Sequence, residues 1–119
     1  MKNILEQIYE PLFSDTSYGF RPGRSQITAL RNIRKNFGGV IWFIEGDITQ
    51  YFDTVNHETL MNLLQEKIRD TKFLRLIREG LKARILLPDG KLICPETGVP
   101  QGGILSPLLS NIYLHQLDK

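Results

Sequence analysis

The sequence has few of the residues that cross-link a small protein or bind zinc. It contains one cysteine, Cys94, and two histidines, His57 and His115, among 119 residues. A single cysteine excludes an internal disulfide and a cysteine-based zinc cluster, and it fits a reducing compartment. Two histidines are too few for a metal site without carboxylates. Any metal chemistry would therefore have to use aspartate or glutamate.

Long hydrophobic runs and a strong net charge are also missing. No stretch approaches the ~20 apolar residues that cross a membrane, and there is no signal peptide, repeat or low-complexity tract. Fifteen Lys and Arg against thirteen Asp and Glu give a net charge of +2, which by itself does not indicate a nucleic-acid partner. With 41% hydrophobic residues the chain can bury one small core. We expect one globular unit in the cytoplasm, with no membrane partner.

The distribution of charge is more informative than its sum. Residues 21–35 hold five basic residues and no acid, and a second basic stripe recurs at helical spacing over 72–82. Such stripes either follow a phosphate backbone, releasing counterions, or are simply solvated helix faces. Arg21 could instead hold the loop in which it lies. The candidate nucleic-acid contacts are Arg21, Arg24, Arg31, Arg34, Lys72, Arg75, Arg78 and Lys82.

Periodicity and turn signals predict five helices and a little sheet. A buried strand is expected at 40–46, and Pro88-Asp89-Gly90 predicts a hairpin between 85–87 and 91–93. The predicted class is α+β, with about five helices and a small, mainly antiparallel sheet. The helices are expected at 2–10, from the Ser25 cap to about Asn36, after the Asn56 cap, from Thr71, and from the Ser106 cap with Pro107 in the first turn.

Asp47 follows the apolar run Val40–Ile44. A carboxylate at that point, with the Ile48 carbonyl beside it, can hold a divalent ion such as Mg²⁺. Alternatively, Asp47 and Asp53 only cap turns. Phe52 lies five residues after Asp47, close enough for its ring to face a bound sugar, although taken alone it would be interpreted as a core aromatic residue.

A glycine-rich stretch, Thr97–Gly103, leads into the last helix. Its three glycines let bare backbone approach a bulky ligand. A loop of this kind before a helix N-terminus is a place where a phosphate or nucleotide can bind. The alternative is a tight turn that feeds a core helix.

Together these segments resemble the palm of reverse transcriptases, and most closely that of the group II intron-encoded proteins, or maturases. Residues 47–57 resemble the motif that carries the first catalytic carboxylate, and 98–114 resemble the next motif with its Pro-Gln-Gly core. Residues 12–25 resemble the motif between fingers and palm. The resemblance implies a partial polymerase right hand, with late fingers at 1–37 and palm at 38–119.

The resemblance also implies a reaction, nucleotidyl transfer assisted by two Mg²⁺ ions. Asp47 would be catalytic and would bind metal together with the Ile48 carbonyl. Phe52 would leave no room for a 2′-hydroxyl and so select deoxynucleotides, while Gln101 and Gly102 would contact the templating pair. The implied partners are intron RNA, an RNA template, a DNA primer and deoxynucleotides.

Some parts of the family pattern are missing from these 119 residues. The chain ends at Lys119, before the family's Tyr-Ala-Asp-Asp hairpin. We therefore expect the chain alone to be inactive as a polymerase. Two alternatives stay open: an RNA-binding splicing module without polymerase activity, and the palm of a retron or other reverse transcriptase. The segment Phe20-Arg21-Pro22-Gly23-Arg24 favours the group II type.

Overall fold

The computed structural model describes residues 1–83, 85–100 and 102–119. This described part contains six α-helices, one short 3₁₀ helix and one two-stranded hairpin. The elements are α1 (Lys2–Tyr9), the 3₁₀ helix (Glu10–Leu12), α2 (Gln26–Asn36), α3 (Tyr51–Thr54), α4 (His57–Gln65), α5 (Thr71–Leu81), β1 (Ile85–Leu86), β2 (Leu92–Ile93) and α6 (Ser106–Asp118). Each of these helices is too short or too polar to span a bilayer.

Side-chain caps fix the starts of three helices. Ser25 and Thr28 form a reciprocal capping box at α2, and the Asn56 side chain accepts a hydrogen bond from the Thr59 N–H at α4. Asp70 accepts from two backbone N–H groups at the start of α5. Each cap satisfies N–H groups that have no partner inside the helix. The predicted starts of these three helices are confirmed.

The core lies among α1, α4, α5 and α6, because each of these helices contributes buried apolar side chains. α4 contacts both α5 and α6, and α1 contacts α6. Burying each such side chain contributes about 1.5–3 kcal/mol. The large side chains that are almost fully buried are Leu5, Val55, Leu60, Leu64 and Ile77.

The hairpin is present but small. β1 and β2 are antiparallel, with Ile85 opposite Ile93 and Leu86 opposite Leu92. Two residue pairs confirm the predicted turn. They do not make the small sheet that the sequence predicts, because among the described residues no further strand joins them.

The prediction of a buried strand at 40–46 is wrong for the described chain. These residues have no regular structure, and the side chains of Trp42, Phe43 and Ile44 are 87%, 84% and 100% exposed. A strand needs a neighbour to pair its N–H and C=O groups, and no described strand lies beside this segment. The composition suits a strand, but the pairing partner is missing from the described residues.

One local prediction at a helix end also needs correction, and one short helix is not predicted from the sequence. Ser106 is the first residue of α6 rather than its cap, which is Leu105, and no side chain caps this helix. The Ser106 hydroxyl donates instead to the Pro100 carbonyl. The helix that the sequence does not predict is α3, because a helix of four residues is too short to show a helical repeat.

Candidate functional site

Two segments far apart in the sequence, residues 52–57 and 97–99, lie side by side and form what we call the junction. Asn56 and Thr97 make an isolated antiparallel bridge there. The junction holds the segment after Asp47 against the glycine-rich loop. Four hydrogen bonds join the segments: Gly98 N–H to the Val55 carbonyl (2.8 Å), Val99 N–H to the Phe52 carbonyl (2.6 Å), Thr97 hydroxyl to the Asp53 carbonyl (3.1 Å), and His57 imidazole to the Gly98 carbonyl.

Only glycine fits at position 98 of the junction. Gly98 is buried and has φ of +90°, a conformation that residues with a side chain rarely adopt. A Cβ atom there would lie 2.8 Å from the Phe52 carbonyl oxygen and 3.0 Å from the Asp53 Cα. Any other residue would therefore push the two segments apart.

Phe52 lies on α3, partly buried and packed against the core. The neighbouring Tyr51 anchors this short helix, because its hydroxyl donates to the Ser110 carbonyl in α6 at 2.9 Å. Burial, with a contribution from the nearby Tyr113, raises the pKa of Tyr51 to about 12. The phenol is therefore a neutral donor at neutral pH, and the turn that carries Phe52 is fixed to α6.

The glycine-rich loop turns sharply between the junction and α6. The Pro100 carbonyl accepts from the Gly103 N–H at 3.2 Å and from the Ser106 hydroxyl. Gly102 is exposed and has φ of +78°, so backbone without a side chain faces solvent there. Gln101, which the family resemblance associates with the templating pair, lies outside the described residues.

Asp47 and Ile48 lie on the segment between α2 and α3, which has no regular structure, and both are exposed. Among the described residues no group of three or more His, Cys, Asp or Glu side chains could hold a metal ion. Asp47 thus offers a single carboxylate with a backbone carbonyl beside it. These are donor types that Mg²⁺ accepts, but they are only part of a site.

Arg21 is a buried residue that organises its loop. Its guanidinium donates to the Glu10 carboxylate at 2.9 Å and to the carbonyls of Ser14 and Ser17 at 2.7 and 2.8 Å. The guanidinium carbon also lies 5.4 Å from the centroid of the Phe13 ring. These contacts correspond to the alternative interpretation, in which Arg21 holds the loop.

The other basic residues of 21–35 are more accessible. Arg24 pairs with the exposed Asp15 at 3.2 Å and lies over the Tyr18 ring, so this charge is already partly engaged. Arg31 and Arg34 are exposed on α2, and their charges face solvent.

The second stripe runs along α5 and past its end. Lys72, Arg78 and Lys82 are exposed, and so is Arg75, which pairs with Glu79 at 2.8 Å. An exposed ion pair of this type contributes little to stability. The stripe therefore remains available to a charged partner.

A cavity of about 530 Å³ lies between α1, α5 and the loop that leads into α6. Its lining includes Pro100, Gly103 and Ile104 but neither Asp47 nor Phe52. The cavity is therefore separate from the two candidate site residues Asp47 and Phe52.

The contribution of His57 was not anticipated from the sequence. Its position directly after the Asn56 cap predicts a helix start, and α4 does begin at His57. The side chain, however, is buried and reaches the Gly98 carbonyl. The only sequence signal was a histidine ahead of an amphipathic helix, which does not reveal a contact 41 residues away.

Comparison with known proteins places the whole chain in one family. Residues 1–119 match the family model described as "Reverse transcriptase (RNA-dependent DNA polymerase)". The chain is 55% identical over 116 residues to the "Group II intron-encoded protein LtrA" of Lactococcus lactis subsp. cremoris, covering 98% of this chain and 19% of that protein. It is 47% identical over 79 residues to "Nuclear intron maturase 1, mitochondrial" of Arabidopsis thaliana, covering 66% of this chain and 11% of that protein. The chain thus spans a fifth or less of the length of these relatives.

Proposed function

The chain belongs to the reverse transcriptase family, and we propose that it is a segment of a longer RNA-directed DNA polymerase of group II intron type, which we call the full-length protein. The junction is the observation that carries the proposal. Its hydrogen bonds link Phe52 to the stretch that leads directly into Gln101 and Gly102. A polymerase needs the incoming sugar and the templating pair beside each other, and the junction joins Phe52 to the segment that precedes Gln101 and Gly102 in the sequence.

In this proposal residues 1–37 belong to the fingers and 38–119 to the palm. Residues 40–44 form a strand of the palm sheet in the full-length protein, paired with strands from outside the chain. The support is their exposure. Ile41, Trp42, Phe43 and Ile44 are each at least 84% exposed, and leaving so many large apolar side chains in water is unfavourable.

Reverse transcriptases use divalent metal ions, and we assign Mg²⁺ to Asp47 and the Ile48 carbonyl. A bound ion of this kind neutralises charge on the reacting phosphates. One carboxylate and one carbonyl leave most of the six coordination positions of Mg²⁺ to phosphate, water and other residues. In this assignment the exposed carboxylate of Asp47, just before α3, provides the negative charge that binds the ion.

Phe52 is assigned to the sugar, and Gln101 with Gly102 to the templating pair. A ring that is partly buried and fixed by its neighbours cannot move aside for an additional hydroxyl group. At Gly102 the missing side chain and the positive φ let backbone approach a base pair closely.

Photocrosslinking tests the nucleotide site. A photoreactive deoxynucleotide is bound to the full-length protein with an RNA template and a DNA primer, and trypsin then releases peptides 36–67 and 92–119, which hold the two motifs. We expect the label in these two peptides, and only when the nucleotide is complementary to the template. A nucleotide that mismatches the template is the control, and labelling that is independent of the template would contradict the proposal.

A second function, binding of intron RNA, is favoured by the exposed basic residues. Arg31 and Arg34 on α2 and the stripe on α5 present charge to solvent, and RNA is recognised largely through its phosphates and shape. Arg21 is left out of this proposal because its guanidinium is engaged within the loop. RNA binding is compatible with polymerase activity, and it would also suffice for a splicing module.

The salt dependence of RNA binding tests these charges in the 119-residue chain. Binding should weaken as salt rises, because each phosphate contact releases counterions. Replacing Arg31 and Arg34 with Gln should reduce the slope of log K against log salt by about 0.7–0.9 per lost contact. Replacing Lys67 and Lys91, which lie outside both stripes, is the matched control. An equal change of slope in both double variants would show that only net charge matters.

A further inference from the structure

We infer that His57 is a positioning residue, which sets the direction in which the chain enters the turn closed by the Pro100 carbonyl and the Gly103 N–H. The inference rests on the proposed function, because that turn is the proposed contact with the templating pair. His57 belongs to a different segment, the start of α4, and is 8% exposed.

The chemistry of the contact fixes how the imidazole is used. A backbone carbonyl can only accept a hydrogen bond, so the His57 Nε2–H donates to the Gly98 carbonyl. The contact is buried, where a carbonyl left without a donor is unfavourable. The Gly98–Val99 peptide group is therefore held at both ends, by the His57 imidazole at the Gly98 C=O and by the Phe52 carbonyl at the Val99 N–H.

Glycine makes a second contact on this peptide group important. Gly98 has no side chain to pack, and its φ of +90° is one of many conformations open to glycine. The Val55 carbonyl holds the Gly98 N–H, which belongs to the preceding peptide group, and the Phe52 carbonyl holds only the Val99 N–H end of the next one. The imidazole holds the other end of that group, and the carbonyl of Gly98 is only two residues before the Pro100 carbonyl that closes the turn.

The test compares His57→Gln with His57→Asn in the full-length protein. Gln places an amide N–H near the position of Nε2, whereas the shorter Asn cannot reach the Gly98 carbonyl. We expect Asn to raise the KM for the incoming deoxynucleotide about tenfold, because one buried hydrogen bond is lost. We expect kcat to change less than KM, and Gln to restore KM to within about twofold of the wild type.

His115→Asn is the matched control. His115 lies on α6 and packs edge-on against Phe13, so its substitution disturbs packing but not the turn. We expect it to leave KM for the nucleotide unchanged. Equal KM values in the His57 Asn and Gln variants, or an equal rise of KM in the His115 control, would overturn the inference. Failure of both His57 variants to fold would also overturn it, because His57 would then be needed for folding itself.

Amide hydrogen exchange provides a readout that does not depend on catalysis. The N–H groups of Gly98, Val99 and Gly103 are all hydrogen-bonded within or beside the junction. In full-length His57→Asn these amides should exchange about tenfold faster than in the wild type or in His57→Gln. Unchanged exchange would overturn the inference. If the wild type made no DNA but this exchange pattern held, the polymerase proposal would fail while the positioning by His57 would stand.

Discussion

Asp47→Asn in the full-length protein is expected to reduce RNA-templated primer extension by roughly 10³-fold. A neutral amide no longer offers the negative charge that a divalent ion requires, and metal ions supply several kcal/mol of charge stabilisation to reactions of this type. Asp47 is exposed, so the substitution should leave the core and the thermal unfolding temperature nearly unchanged. The measurement is the single-turnover rate of nucleotide addition at saturating Mg²⁺.

Asp53→Asn is the matched control for this prediction. Asp53 is also exposed and lies six residues further on, within α3. Only its backbone carbonyl contributes to the junction, through the Thr97 hydroxyl. We expect this variant to keep its rate within about threefold of the wild type. Equal losses in the two variants, or no loss with Asp47→Asn, would return Asp47 to the interpretation as a turn cap.

Phe52→Ala is expected to lower the preference for deoxynucleotides over ribonucleotides by about 100-fold. Removing the ring opens space for a 2′-hydroxyl, and rejection of one small group by shape is worth about this factor. The measurement is the ratio of kcat/KM for dATP and ATP on one RNA template. Most of the change should come from a higher kcat/KM for ATP rather than from a lower kcat/KM for dATP.

Phe73→Ala is the control for the loss of packing. Like Phe52, Phe73 is partly buried against the core, and it lies on α5, outside the two segments of the junction. Each alanine variant should lose up to a few kcal/mol of stability. Only the variant at Phe52 should change sugar preference. An unchanged ratio with Phe52→Ala would mean that Phe52 is a core aromatic and nothing more.

Helix starts and the hairpin could be predicted from the sequence because their signals are local. The caps at Ser25 and Asn56 bond to N–H groups three residues away, and the Pro88-Asp89-Gly90 turn is encoded by adjacent residues. The strand at 40–46 depends on a neighbour, and no described strand supplies one. Composition alone does not show whether an apolar segment has a neighbouring strand to pair with.

The sequence names candidate site residues but not the contacts between their segments, and the reason is sequence separation. The motif residues Asp47 and Phe52 could be named from their own segment. The junction joins residues more than 40 positions apart, such as Val55 and Gly98, and no local pattern reveals that pairing. Arg21 shows the same limit. Its charge suggests a phosphate contact, whereas its burial against Glu10 follows from the fold of the loop.

RNA-templated DNA synthesis by the full-length protein is the most direct test of the central claim, that this chain is part of a reverse transcriptase. The purified protein is given Mg²⁺, a DNA primer annealed to an RNA of known sequence, and the four deoxynucleotides. We expect a DNA product complementary to the RNA, formed by the wild type and lost with Asp47→Asn. A properly folded wild-type protein that binds this RNA but adds no nucleotides, or adds them without regard to the template, would contradict the claim.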